Sequence, residues 1–298
     1  MMTFPLPFVL LTLAIVLVWA PDWHVGTRRV PPWTLVFAGA FVVGAVETVD
    51  IGTVHHVLTI SALGVLAALC TFAWAGLAAP SRRPAFVALA GVLALLMAVH
   101  ALRGFHAPQL VEHVKLTPDA KPFSLGLNFD KGAAGLVLLA AFCARARSWR
   151  QFASQLPAIA VAMTATIVLC FGLALATGYV RYEPKWPDSA MAFLVSNLFF
   201  TCVAEEAFTR GLIQEQLMRL AERHAHPGWK WLAVAASTLV FGLAHMGGGP
   251  VWTTLAMIAG LGYAGIYAKT RTIEGAILVH FAVNAVHFVA FTYPALAH

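Results

Sequence analysis

The chain has 298 residues, 60% of them hydrophobic and 11% charged, with a mean hydropathy of +0.79. Soluble globular proteins carry about 25% charged residues, so the composition excludes an ordinary water-soluble globule and points to a protein integral to a membrane. The formal charge of +6 suggests nucleic acid at first, but its distribution argues otherwise. Twelve of the nineteen Lys and Arg residues (Arg28, Arg29, Arg82, Arg83, Arg145, Arg147, Arg150, Arg219, Arg223, Lys230, Lys269 and Arg271) fall in alternate loops. The other loops hold six, four of them in the long stretch 103–131, and Arg210 lies within a span. This is a positive-inside pattern. It places the basic loops in the cytoplasm and, for ten spans, both termini outside.

A spanning helix needs roughly 20 mostly apolar residues. In chain order the apolar runs lie at about 4–20, 33–49, 57–79, 85–102, 132–144, 154–178, 190–214, 231–247, 251–268 and 275–292. The expected fold is therefore all-α, a polytopic transmembrane helix bundle of about ten spans, with eight to ten possible. Alternating segments of about ten residues, the mark of an outer-membrane barrel, are absent. The first run has no Lys or Arg before it and reads as a retained helix rather than a signal peptide. Glu47 and Asp50 end the second run and precede His55 and His56, a group that reads as an interface cluster. The stretch 103–131 contains Pro108, Pro118 and Pro122 and reads as a structured loop or interfacial segment. The fifth run is short and is expected to begin earlier, near "FSLGLNF". Cys70, Cys143, Cys170 and Cys202 all lie in or at apolar runs and read as small buried hydrophobes, with no CxxC spacing for a metal or redox role. Residues 1–150 thus hold N-terminal transmembrane helices of unassigned role. From 151 to 298, Glu, Arg, His and Asn appear inside apolar helices.

Each charge at the centre of a membrane helix costs roughly 2.5–3.5 kcal/mol on insertion scales, and such groups face partners in the bundle interior. In "NLFFTCVAEEAFTRGLIQEQL", Glu206 and Arg210 are i,i+4 neighbours and can pair. Glu205 points about 100° around the helix and is left facing another element. A carboxylate in a low-dielectric setting suits a general base. In "STLVFGLAHMGGG", Phe241 and His245 share a face just before three glycines. In "GAILVHFAVNAVHF", His280 and Asn284 are i,i+4 and His287 extends that face. A carboxylate base, imidazoles and an amide donor are the parts that activate water and hold an oxyanion. Depth sets a condition: a seventh helix starting at Asp188 puts Glu205 ~25 Å from one face. Convergence with His245 then requires that helix to be shifted so that Glu205 lies near mid-membrane, which the continued amphipathic sequence "GLIQEQLMRLAER" allows.

EExxxR at Glu205, Glu206 and Arg210, FxxxH at Phe241 and His245, and HxxxN at His280 and Asn284, in this order, resemble the CPBP family, the CaaX-protease-like (Abi) intramembrane endopeptidases. The segment "GYAGIYAKTRTIEGAILVHFAVN" is similar to the family's sequence there. The resemblance covers roughly 155–292 and implies a protease core in 151–298 with catalytic residues on three helices of the C-terminal half. It implies a metal-independent, cofactor-free glutamate peptidase in which Glu205 and His245 activate a water. It also implies that His280 and Asn284 stabilise the oxyanion while Glu206, Arg210 and Phe241 shape the site. The implied partners are the lipid bilayer and a membrane-anchored protein or peptide substrate, with no nucleic acid; a compact chain without long polar termini suggests a bacterial inner membrane. Two other readings of the same residues stand beside it. One is a zinc-dependent intramembrane protease, for which HExxH is absent. The other is a non-enzymatic protein, a proton-coupled transporter or immunity scaffold.

Overall fold

The computed structural model of the chain describes residues 4–46, 48–50, 54–78, 83–224, 226 and 228–297. The expected cluster of Glu47, Asp50, His55 and His56 lies outside the described residues and side chains, as does Arg82. The helices in chain order are α1 (Leu6–Val16), α2 (Pro32–Val46), α3 (Ile60–Ala78), α4 (Arg83–Ala98), α5 (Phe129–Phe142), α6 (Trp149–Ala176), α7 (Ala190–Arg223), α8 (Trp229–Leu243), α9 (Pro250–Thr270) and α10 (Ile273–Ala290). Each of the ten apolar runs coincides with one of them. By length and composition, α3, α6, α7, α9 and α10 are long and apolar enough to cross a membrane, and Leu6–Trp19, α2, α4 and α8 are shorter apolar helices. Their outward faces carry Val, Leu and Trp, for example Leu6, Leu13, Val161, Val168 and Leu232. A helix that is apolar all round belongs in lipid or a buried core, and these helices make the chain an integral membrane protein.

Short strands accompany the helices. β1 (Trp23–Val25) pairs antiparallel with β2 (Arg28–Val30), and β3 (Thr48–Asp50) with β4 (Val54–His56). β5 (Gln109–Val114) and β6 (Phe123–Gly126) form a third two-stranded sheet within the 103–131 stretch. The fifth helix therefore begins at Phe129, three residues before the apolar run at 132. Phe129 is the last residue of "FSLGLNF", whose first four residues pair as β6.

The chain divides into two compact units. The first comprises residues 1–110, 125–142 and 199–205. In it α1 packs on α2 and α3 on α4, while α5 packs against α1, α3 and α4. α5 is buried along nearly its whole length for that reason. Phe8 meets Phe129 and Phe200 edge-on at 5.7 and 5.8 Å between ring centroids. Two glycines permit close helix approach here. A Cβ on Gly135 would lie 2.6 Å from the Ala204 Cα, and one on Gly132 would lie 2.8 Å from the Phe200 ring.

The second unit comprises residues 111–124, 143–198 and 206–298. α9 packs against α6, α8 and α10, and α6 packs against α10. Ser148 caps α6 by accepting from the Gln151 N–H at 3.2 Å. Gly249 at φ +90° makes the tight entry to α9, with Pro250 as its first residue. Arg271 ends α9 in the left-handed conformation, and its guanidinium bonds Glu215 at 2.9 Å and Glu222 at 2.5 Å. Phe193 stacks on Phe288 at 3.9 Å, and Tyr293 meets both rings edge-on.

Candidate active site

α7 is not a uniform helix. Asn197–Cys202 and Ala207–Gln214 are π-helical and flank the short α-helical stretch Val203–Glu206. π-Helical turns are rare and recur at functional sites, because they rotate side chains out of α register. The 34-residue helix runs on to Arg223, so Glu205 and Glu206 sit close to its middle.

Glu206 and Arg210 are both 0% exposed, and the Arg210 Nε donates to Glu206 Oε2 at 2.9 Å. Glu206 Oε1 takes a second bond, from His280 Nδ1 at 2.8 Å. A carboxylate accepts, so Nδ1 carries the hydrogen there and the imidazole ring is fixed in orientation. Arg210 Nη1 donates to the Ser237 hydroxyl, which donates to the Thr209 carbonyl at 3.1 Å. The guanidinium lies 5.4 Å from the Phe241 ring centroid and 5.9 Å from that of Tyr263. Charge-assisted bonds and ring faces together compensate a cation with no access to water.

Phe241 links the two histidines. Its ring lies 4.6 Å from that of His245 and 5.5 Å from that of His280, and Tyr263 stacks on His280 at 4.5 Å. His245 closes the end of α8 and holds its Nδ1 2.7 Å from the Phe241 carbonyl. That carbonyl can only accept, so Nδ1 carries the hydrogen, and a neutral ring presents Nε2 as its basic atom. Asn284 donates to the Asn197 side-chain oxygen at 3.2 Å. His287 is buried against Phe171, Trp252 and Tyr293. The second unit thus gathers Glu206, Arg210, Phe241, His245 and His280, with Asn284 one turn beyond His280 on α10.

Glu205 belongs to the first unit. Its Oε1 accepts from Lys131 Nζ on α5 at 2.6 Å. Lys131 was not a sequence candidate, because it stood as the last basic residue of a polar loop. The signal that could have found it is its place in "FDKGAAGL", inside the apolar helix that starts at Phe129. Ser237, Tyr263 and Asn197 were also missed, being polar residues of kinds common in helix packing.

Residues 186–286 match the family model described as type II CAAX prenyl endopeptidase Rce1-like. No curated protein and no solved structure matches the chain. The matched stretch holds α7 to α9 and most of α10, and with them all three motifs. Over residues 186–286 the chain is thus similar to the type II CAAX prenyl endopeptidase Rce1-like family, the CaaX-protease group that its motifs resemble.

Proposed function

We propose that the protein is an intramembrane peptidase that hydrolyses a peptide bond of a membrane-anchored protein or peptide with water activated by glutamate and histidine. The observation that carries this reading is the buried Glu206–Arg210–His280 network inside the family-matched segment. It keeps one glutamate and one arginine out of the chemistry and gives His280 a fixed ring plane. The roles of Glu205 and His245 rest on their places in the EExxxR and FxxxH motifs.

In this reading Glu205 takes a proton from water as the water oxygen attacks the scissile carbonyl. Asn284 donates to the oxyanion of the tetrahedral intermediate, and His280 does so as an imidazolium, its Nδ1–H held by Glu206 and its Nε2–H left to donate, a contribution worth about 10²–10³ in kcat for each such donor. Collapse of the intermediate breaks the C–N bond. The proton held by Glu205, or one from His245, passes to the leaving amine. Neither a metal nor an organic cofactor is required by these steps. A bacterial inner membrane is the setting we favour.

The test uses purified wild type and Glu205→Gln in detergent, incubated with a library of membrane-anchored peptide tails, with and without a zinc chelator. Products are read by mass spectrometry. The expected result is chelator-resistant cleavage that disappears in Glu205→Gln. Cleavage abolished by the chelator would favour the zinc reading. Absence of cleavage by folded wild type would favour a transporter or scaffold.

A further inference from the structure

We infer that Lys131, on α5, is the positioning residue of Glu205. The inference rests on the peptidase reading given above. Its basis is a pair held entirely within the first unit. Lys131 Nζ lies 2.6 Å from Glu205 Oε1, with the two side chains 18% and 21% exposed. A lysine in an apolar helix is costly without a partner, and a charge-assisted bond of this length fixes the plane and position of the carboxylate it meets.

The geometry around the pair serves it. Gly132 and Gly135 follow Lys131 on α5 and bring that helix against Phe200 and Ala204, and Ala204 immediately precedes Glu205. The start of α5 is pinned as well. Asp130 Oδ1 accepts the Lys131 N–H at 2.8 Å, and Asp130 Oδ2 sits 2.7 Å from His100 Nδ1. Lys131 therefore reaches Glu205 from a backbone that is fixed on both sides.

A purely structural pair would be expected to look like Glu206–Arg210, sealed at 0% exposure for both partners. About a fifth of each side chain remains accessible in Lys131–Glu205, so the carboxylate is held in place and still reachable. A lysine ammonium suits that task as a compact point charge, where arginine would add a planar fork.

The experiment uses the full chain in detergent and the peptide tail that wild type cleaves best. Lys131→Ala is assayed with and without n-propylammonium, which replaces the deleted side chain beyond Cβ, and with tetramethylammonium as a cation that cannot donate. A misplaced catalytic group lowers the rate by about 10²-fold. The expected result is a kcat lower by about that factor, KM within about twofold of wild type, and recovery of at least about tenfold with n-propylammonium only. Unchanged kcat in Lys131→Ala overturns the inference, as does a loss that n-propylammonium leaves unrestored in folded protein. If Lys131→Ala does not fold, Lys131→Met keeps the side-chain length. A kcat loss of about 10²-fold at constant KM then supports the inference, and wild-type kcat overturns it. Full activity in Glu205→Gln refutes the peptidase reading itself. Activity lost in Glu205→Gln but intact in Lys131→Ala refutes only the role of Lys131.

Discussion

Replacing Arg210 with methionine tests the buried network most directly. In the wild type the guanidinium answers Glu206 at 2.9 Å, bonds Ser237 and faces the Phe241 and Tyr263 rings, with no exposure on either charged partner. Without it, Glu206 keeps, among the described residues, only the His280 contact at 2.8 Å and remains as a charge in a dry interior. Breaking a buried pair from one side costs about 3–5 kcal/mol, because the remaining charge is uncompensated. Glu206→Gln leaves the opposite charge with Ser237 and two ring faces, so it too destabilises. The double variant removes both charges and should recover part of the loss. The assay is thermal and denaturant unfolding of the four proteins in one detergent. The expected coupling between the two sites exceeds about 1 kcal/mol, within the range for residues in direct contact. Wild-type stability in Arg210→Met, or additive single effects, would refute the reasoning.

Three further outcomes follow from other parts of the molecule. Gly135→Leu drives a side chain into α7 at Ala204, where even a Cβ would come within 2.6 Å of backbone. It should destabilise the fold by about 1–3 kcal/mol or more, read by unfolding in detergent. Asn284→Leu removes an amide that bonds Asn197, and in the proposed mechanism an oxyanion donor. Cleavage should fall by about 10²–10³ in kcat with the unfolding midpoint much less affected than in Arg210→Met. Lys185 lies between α6 and α7, and burial lowers its pKa from the ordinary 10.5, against the opposing pull of Glu183. The unfolded chain therefore binds more protons at this position than the fold does, and stability from Lys185 rises as pH climbs toward 10.5. Unfolding midpoints between about pH 8 and pH 10 should rise less steeply in Lys185→Met than in wild type.

Composition and apolar run length were enough to announce a membrane-embedded helical protein, because a lipid solvent demands long apolar segments with satisfied backbones. The i,i+4 spacing of Glu206 and Arg210 was equally legible, since helix geometry alone makes those positions neighbours. The extension of α7 to Arg223 could be read as a possibility from the amphipathic run after Arg210. Other features were not legible. The β5–β6 sheet inside the 103–131 stretch depends on two short segments meeting, and neither has enough alternation to be seen alone. The π-helical turns of α7 change side-chain register, and in Asn197–Cys202 no Gly or Pro marks the change. Lys131 meets Glu205 across 74 positions of chain, a pairing set by the glycine-mediated approach of α5 to α7. The bond from His280 to Glu206 also spans 74 positions. Local periodicity could place each of these side chains on a helix face, but only packing between helices decided which charge met which partner.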